Sequence, residues 1–250
     1  SLEKDAAAFR SSARQAGLKA VFVHASYLVN LGTSDGALWK KSVALLTATM
    51  KAAADIGAAG VIVHLGSGEA GLFRTQSMER AVAGVKQVLR HAPTRSGAGR
   101  KGEPYFIIEN AAGGGEKLGR DLGEIAMILK MIGSKRVGVC FDTAHAFEAG
   151  VVESYSKENI ARLAAEIKKT VGWERLLAIH ANDSKTAFNS KHDLHENIGK
   201  GYIGAAAFRN LLAHKGFQDV PFLLEVPGAD GNGPDKKNVD LLKELAGSGS

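Results

Sequence analysis

Nine side chains of metal-ligand type stand at telling places in this 250-residue chain. Six of them each close a short apolar run. The runs are Val21-Phe22-Val23-His24, Val61-Ile62-Val63-His64, Phe106-Ile107-Ile108-Glu109, Val137 to Asp142, Leu176 to His180 and Phe222-Leu223-Leu224-Glu225. Three more lie in polar segments: His145, three residues past Asp142, and the D-x-H pair Asp193 and His195, whose two side chains point the same way. Histidines and acids together are 8 + 26 of 250 residues, about one in seven, so six such endings out of six are a pattern rather than composition. Imidazole and carboxylate are ligands of zinc and related cations. Four carboxylates gathered in one pocket repel each other unless cations neutralise them or some stay protonated. A four-coordinate zinc takes about four ligands, so nine suit two or three ions better than one. Three Zn²⁺ bring about +6 against −4, and the surplus attracts an anion such as a phosphodiester, across which clustered metals can direct water in line.

Helical periodicity separates the runs. It predicts helices over 3–16, 37–57, 75–91, 119–132, 156–171, 204–214 and 236–246, and strands over 20–24, 60–64, 105–109, 136–142, 175–181 and 221–225. Alternating β and α units imply a parallel sheet. The βα connections are long and polar and the αβ connections short, as in a TIM-type β/α barrel whose function lies at the carboxyl ends of its strands. The expectation is one α/β domain over 1–246, a polar break at 92–103, and a linker-like tail at 247–250. Only six βα units are visible where a closed barrel has eight, so the barrel is expected to be incomplete at its N-terminus. Open edges and uncovered core would follow, unless another chain or further residues supply the missing units; otherwise a monomer is expected.

Composition narrows the setting. The formal charge of +6 and pI of about 9.3 favour a polyanionic partner. No run of ~18 apolar residues marks a membrane span and no signal peptide opens the chain. The single cysteine, Cys140, excludes an intrachain disulfide and reads as a buried strand residue, which fits a cytoplasmic, reducing location. His91 and His214 are expected on helix surfaces and His192 in solvent. Asn110 and Asn182 read as supports of neighbouring ligands or as turn residues. The glycines at 113–115 offer a weak phosphate cradle.

The segments VHASYLVNLG (23–32), VHLGSG (63–68), IIENAAGGGEKLG (107–119), VGVCFDTAHAFEAG (137–150), IHANDSK (179–185), HDLHENIGKGYIG (192–204) and LLEVPG (223–228) resemble the endonuclease IV family of apurinic/apyrimidinic endonucleases. The resemblance covers nearly the whole chain. It implies a β/α barrel with three zinc ions that cleaves the phosphodiester 5′ to abasic sites in double-stranded DNA and trims 3′-blocked ends. His24, His64 and Glu109 would hold the first metal. Glu109 would bridge to a second, also bound by Asp142, His180 and Glu225. His145, Asp193 and His195 would hold the third. Glu109 and Glu225 are the carboxylates on which catalysis would depend. Tyr27 and Leu28 match a DNA-penetrating loop that fills the gap left by an extruded nucleotide. Departures from the family's pattern spare the ligands: HLGSG replaces HPGSH, DTAHAFEAGVV replaces DTCHAFAAGYD, and Asp193-Leu194-His195 replaces DRH. The family's first two βα units have no counterpart in this sequence.

Two other readings use the same residues. A sugar isomerase or epimerase of the same barrel superfamily needs a Glu, Asp, His, Glu set on one divalent metal, without the D-x-H pair and His145. A truncated, non-catalytic DNA binder would keep the ligands without turning over.

Overall fold

The computed structural model describes residues 2–69, 73–92 and 103–247. The expected break at 92–103 and the tail after Gly247 fall almost wholly outside them. Two compact units are present, Ser1–Ile108 with Ile128–Gly138, and Glu109–Met127 with Val139–Ser250.

The first unit runs α1 (Leu2–Gln15), β1 (Phe22–His24), α2 (Gly36–Ile56), β2 (Gly60–Val63), α3 (Arg74–His91) and β3 (Tyr105–Glu109, whose last residue belongs to the second unit). Its strands are parallel, with His24 opposite Ile62 and Val63 opposite Ile108. Asp35 starts α2 by accepting from the Ala37 and Leu38 N–H groups, and Gly57 ends it at φ 74°, a left-handed conformation that suits glycine. Val43, Leu46, Met50 and Ala53, spaced at helical periodicity, are on the buried face of α2. β2 is buried throughout, whereas β1, which pairs with β2 alone among the described strands of this unit, is half-buried to exposed.

The second unit takes in α4 (Leu122–Ile132, assigned to the first unit from Ile128 onward), β4 (Val137–Asp142), α5 (Thr143–Glu148), α6 (Lys157–Lys169), β5 (Leu176–His180), β6 (Asp183–Ser184), β7 (His195–Glu196), α7 (Ala205–Ala213), β8 (Phe222–Leu223) and α8 (Lys236–Gly247). β4, β5 and β8 are parallel neighbours, and β6 with β7 forms a separate antiparallel pair. Asp142 lies opposite His180, which lies opposite Leu223. The last residues of three adjacent parallel strands are therefore in register. A core of Ala181, Ile198, Phe208, Val226, Leu242 and Leu245 packs between strand ends and helices.

The six predicted parallel strands are all present. Element ends differ by a residue or more in several places, and four differences stand out. The predicted strand 221–225 stops at Leu223, because the Glu225 N–H leaves the ladder for the Asn182 side chain at 2.8 Å. The predicted helix 119–132 starts at Leu122: Asp121 accepts the Glu124 N–H, and Glu124 in turn accepts from Gly119 and Arg120. The strand-leaving turn at Asp142 is the N-cap of α5, a helix with no polar face. His214 is half-buried rather than on the surface, its ring 5.3 Å from Phe217 and its Nδ1 accepting from Gly216.

Candidate metal centre

In the second unit, β4 and β5 deliver Asp142 and His180 side by side, and β3 delivers Glu109. All three are buried. Glu225 follows β8 with its side chain 34% exposed. His180 Nδ1 is 2.7 Å from Glu109 Oε1, 3.1 Å from Glu225 Oε2 and 3.7 Å from Asp142 Oδ2. These four residues each offer a ligand atom within 4.8 Å of the others. Burial opposes a charged ring, yet Cys140 and Glu109 beside it hold His180 well above the ordinary histidine range. Three carboxylates around one imidazole demand positive charge, and a proton or a cation can supply it.

The carboxylates are held from behind by amides. Asn110 accepts the Asp142 N–H at 2.7 Å and donates to the Asp142 carbonyl at 3.0 Å. Asn182 donates to Asp142 Oδ2 at 2.6 Å while accepting the Glu225 N–H. Thr143 donates to the Asn182 carbonyl and accepts its N–H, and Tyr155 donates to the Thr143 carbonyl. Asn182 thus orients a carboxylate directly, while Asn110 fixes the backbone that carries it, as such supports do around metals. Cys140 is buried with its sulfur beside Glu109 and His180, and burial pushes its thiol up to about 12.

A second group adjoins the first. Asp142 caps α5 by accepting the His145 N–H at 2.8 Å, so the D-x-x-H spacing is a helix start that also aims the imidazole. His145 Nδ1 donates to the Asn110 carbonyl at 2.9 Å, which turns Nε2 the other way. There it meets Asp193 Oδ1 at 3.0 Å and His195 Nε2 at 3.3 Å. Donor atoms on a tetrahedral zinc, at Zn–N of roughly 2.0–2.1 Å, stand about 3.3–3.4 Å apart. Burial disfavours the charged His145 ring, but Asp142, the hydrogen bond to Asp193 and Glu109 outweigh it and push its pKa up to about 10. The same hydrogen bond holds Asp193 well below the usual carboxylate range. Lys117 Nζ lies 3.2 Å from Asp193 Oδ2, a partner that sequence reasoning missed.

Backbone placement of these loops has its own causes. Buried Asp183 accepts from the N–H groups of Ser184, Gly199, Gly201, Ile203 and Gly204. A Cβ at Gly201 would collide with Ser184 and Asp183. Gly113 and Gly114 pack closely against Ala149 and the Lys191 backbone, which gives these glycines a packing reason. His192 is exposed, as expected.

In the first unit, His24 at the end of β1 and His64 just beyond β2 come together, ring centroids 5.5 Å apart. His24 Nδ1 donates to the Ala25 carbonyl at 2.8 Å, making Nε2 the acceptor. The loop after His24 carries Tyr27, 91% exposed, and Leu28, 64% exposed. It is anchored just beyond them: Asn30 Oδ1 accepts from Gly32 and Ser67, and Glu69 accepts from Thr33 Oγ1, Ser34 N–H and Ser34 Oγ. Gly66, at φ 89°, lets the second loop press onto Asn30 where a Cβ would overlap it.

Residues 1–245 match a family described as xylose isomerase-like TIM barrel. A protein of Trichlorobacter lovleyi named probable endonuclease 4 is 36% identical over 251 residues, covering 97% of this chain and 84% of that one. Its namesake in Persephonella marina is 32% identical, covering 95% and 79%. Endonuclease IV of Thermus thermophilus superimposes with a TM-score of 0.81 at 33% identity, over 98% of this chain and 82% of that one. A D-tagatose 3-epimerase-like protein superimposes at 0.72 with 19% identity over 98% and 84%, a likeness of fold alone. Among the described residues, no helix is long and apolar enough to cross a membrane.

Proposed function

Because this chain belongs to the endonuclease IV family within the xylose isomerase-like TIM barrels, we propose that it is a zinc-dependent DNA-repair endonuclease. It hydrolyses the phosphodiester 5′ to abasic sites in duplex DNA and trims 3′-blocked ends, acting as a monomer in the cytoplasm. Three zinc ions would serve it. His24, His64 and Glu109 would hold the first; Glu109, Asp142, His180 and Glu225 the second; and His145, Asp193 and His195 the third. Zinc, when bound, supplies the positive charge that draws in the phosphodiester and makes water a competent nucleophile near neutral pH.

The chain's own groups do the rest. Glu109 and Glu225 are the carboxylates on which hydrolysis depends. They flank His180, and the Asn182 amide fixes the Glu225 backbone and the Asp142 carboxylate together. Asn110 fixes the tautomer of His145. Tyr27 and Leu28, exposed on an anchored loop, enter the duplex where the damaged nucleotide leaves the stack.

The observation that carries this reading is the approach of His145, His195 and Asp193 next to the Glu-Asp-His-Glu group. A one-metal sugar isomerase has no use for that second set. The test joins metal analysis to an incision assay on a duplex with one abasic analogue. About three zinc per chain and metal-dependent 5′ nicking are expected. One Mn²⁺ or Mg²⁺ per chain would support the isomerase, and binding without nicking a non-catalytic DNA binder.

A further inference from the structure

The segment carrying Asp193 and His195 leaves β6 at Ser184 and returns in β7 at His195, and the end of α5 grips it at several points. Glu148, the last residue of α5, is fully buried. Its Oε1 accepts from Ser184 Oγ at 2.8 Å, from Thr186 Oγ1 at 3.3 Å and from the Leu194 N–H at 3.3 Å. Its Oε2 is buried and, among the described residues, has no hydrogen-bond partner. The backbone beside it adds three bonds: Asn189 N–H donates to the Phe147 carbonyl, Lys191 N–H to the Glu148 carbonyl and Lys191 Nζ to the Ala149 carbonyl. One carboxylate oxygen thus ties both ends of the segment together.

The far-end attachment falls between two proposed ligands. The Leu194 N–H goes to Glu148, and the Leu194 carbonyl accepts from Lys185 N–H at 2.9 Å, so both backbone polar groups of this residue are fixed. In extended chain the neighbours of such a residue project to the opposite side from it. Leu194 is exposed, while Asp193 and His195 reach His145. A buried carboxylate with one oxygen unsatisfied is costly, so its place in a packed helix end calls for a return.

We propose that Glu148 is a positioning residue that presets Asp193 and His195 for the metal ion they share with His145. This rests on the three-zinc reading above. Glu148 acts through the Leu194 backbone and the Ser184 and Thr186 hydroxyls.

Stepwise zinc removal by a competing chelator tests it, on the wild-type chain, Glu148→Met and Glu148→Gln, with thermal unfolding of each metal-free protein recorded alongside. Methionine keeps the volume and removes the acceptor; glutamine keeps an acceptor oxygen. Loss of a support of this kind weakens metal binding about 10- to 100-fold. Glu148→Met is expected to weaken one of three zinc ions by that factor and leave the other two unchanged, and Glu148→Gln to recover most of the loss. Three zinc ions of unchanged affinity in Glu148→Met, with only a lower unfolding temperature, would overturn the positioning role and leave the three-zinc reading intact. A wild-type chain that binds a single ion would overturn that reading and this inference with it.

Discussion

The Nε2 atoms of His145 and His195 face each other at 3.3 Å, with Asp193 Oδ1 at 3.0 Å from the first and 3.9 Å from the second. At that distance the two nitrogens are within reach of a shared proton or a common cation. With its pKa near 10, His145 carries that proton at neutral pH in the metal-free protein. A ligand nitrogen must give it up, so zinc uptake at pH 7.5 is expected to release protons into weak buffer, and apparent affinity to rise with pH. The stability of the metal-free form follows the same group. A histidine with a raised folded pKa contributes fully below its unfolded value of about 6.5 and loses that contribution as pH rises through about 10. Zinc titration followed in a pH-stat checks this; uptake without proton release would refute it.

Glu225→Ala removes a carboxylate that is partly exposed and leaves little void. Nicking of abasic duplex is expected to fall by more than about 100-fold, beyond the loss seen for supports of ligands, with far-UV circular dichroism unchanged. Glu109→Ala should be as damaging to activity. Wild-type turnover in either variant would remove the basis for the shared-metal assignment.

Asn182→Asp is isosteric but exchanges a donor for an acceptor against Asp142 Oδ2, now 2.6 Å from the Asn182 amide. Like charge in a buried site drives one carboxyl to keep its proton. Zinc affinity is expected to drop about 10- to 100-fold while the KM for DNA is little changed. Equilibrium dialysis and steady-state kinetics read the two quantities separately, and an affinity equal to wild type would be the adverse result.

Leu28→Ala should weaken binding to abasic duplex about tenfold, as loss of one well-buried leucine contact implies, and hardly alter binding to undamaged duplex. Fluorescence anisotropy on matched duplexes measures the difference. Equal losses on both would mean that Leu28 only meets the groove.

Asp183→Ala leaves several part-buried N–H groups of the 199–204 loop without their acceptor at once. Unsatisfied groups cost about 1–3 kcal/mol each, so a stability loss of about 3 kcal/mol or more is expected in urea unfolding. A loss under about 1 kcal/mol would show that the loop finds other acceptors.

Much of this was legible in the sequence because the signal was periodic. The strand at 105–109 lies where the apolar run put it, and the Asp142–His180 pairing needs only that two parallel strands end in register. What escaped notice lacked a pattern. α5 has every residue buried, so no polar face marks it as a helix. β6 and β7 are two residues each, too short for alternation to register. Glu148 and Lys117 are single charged residues whose partners lie some 40 to 80 positions away, and only the fold brings them to Ser184, Leu194 or Asp193. Asp183 stood one residue from Asn182 in a ligand-rich segment, yet it faces a glycine loop and not the metal group.

The in-register pairing of β5 with β8 sets a schedule. Glu225 follows β8, the last strand of the second unit, whereas Glu109, Asp142 and His180 come from strands made before it. A chain synthesised from its N-terminus, with domains folding as units, carries an acidic cluster short of one member until that final strand docks. With Glu225 in its proposed role, the capacity to cut DNA is therefore expected only once that strand has docked, so a nascent chain is expected to be silent toward DNA until then.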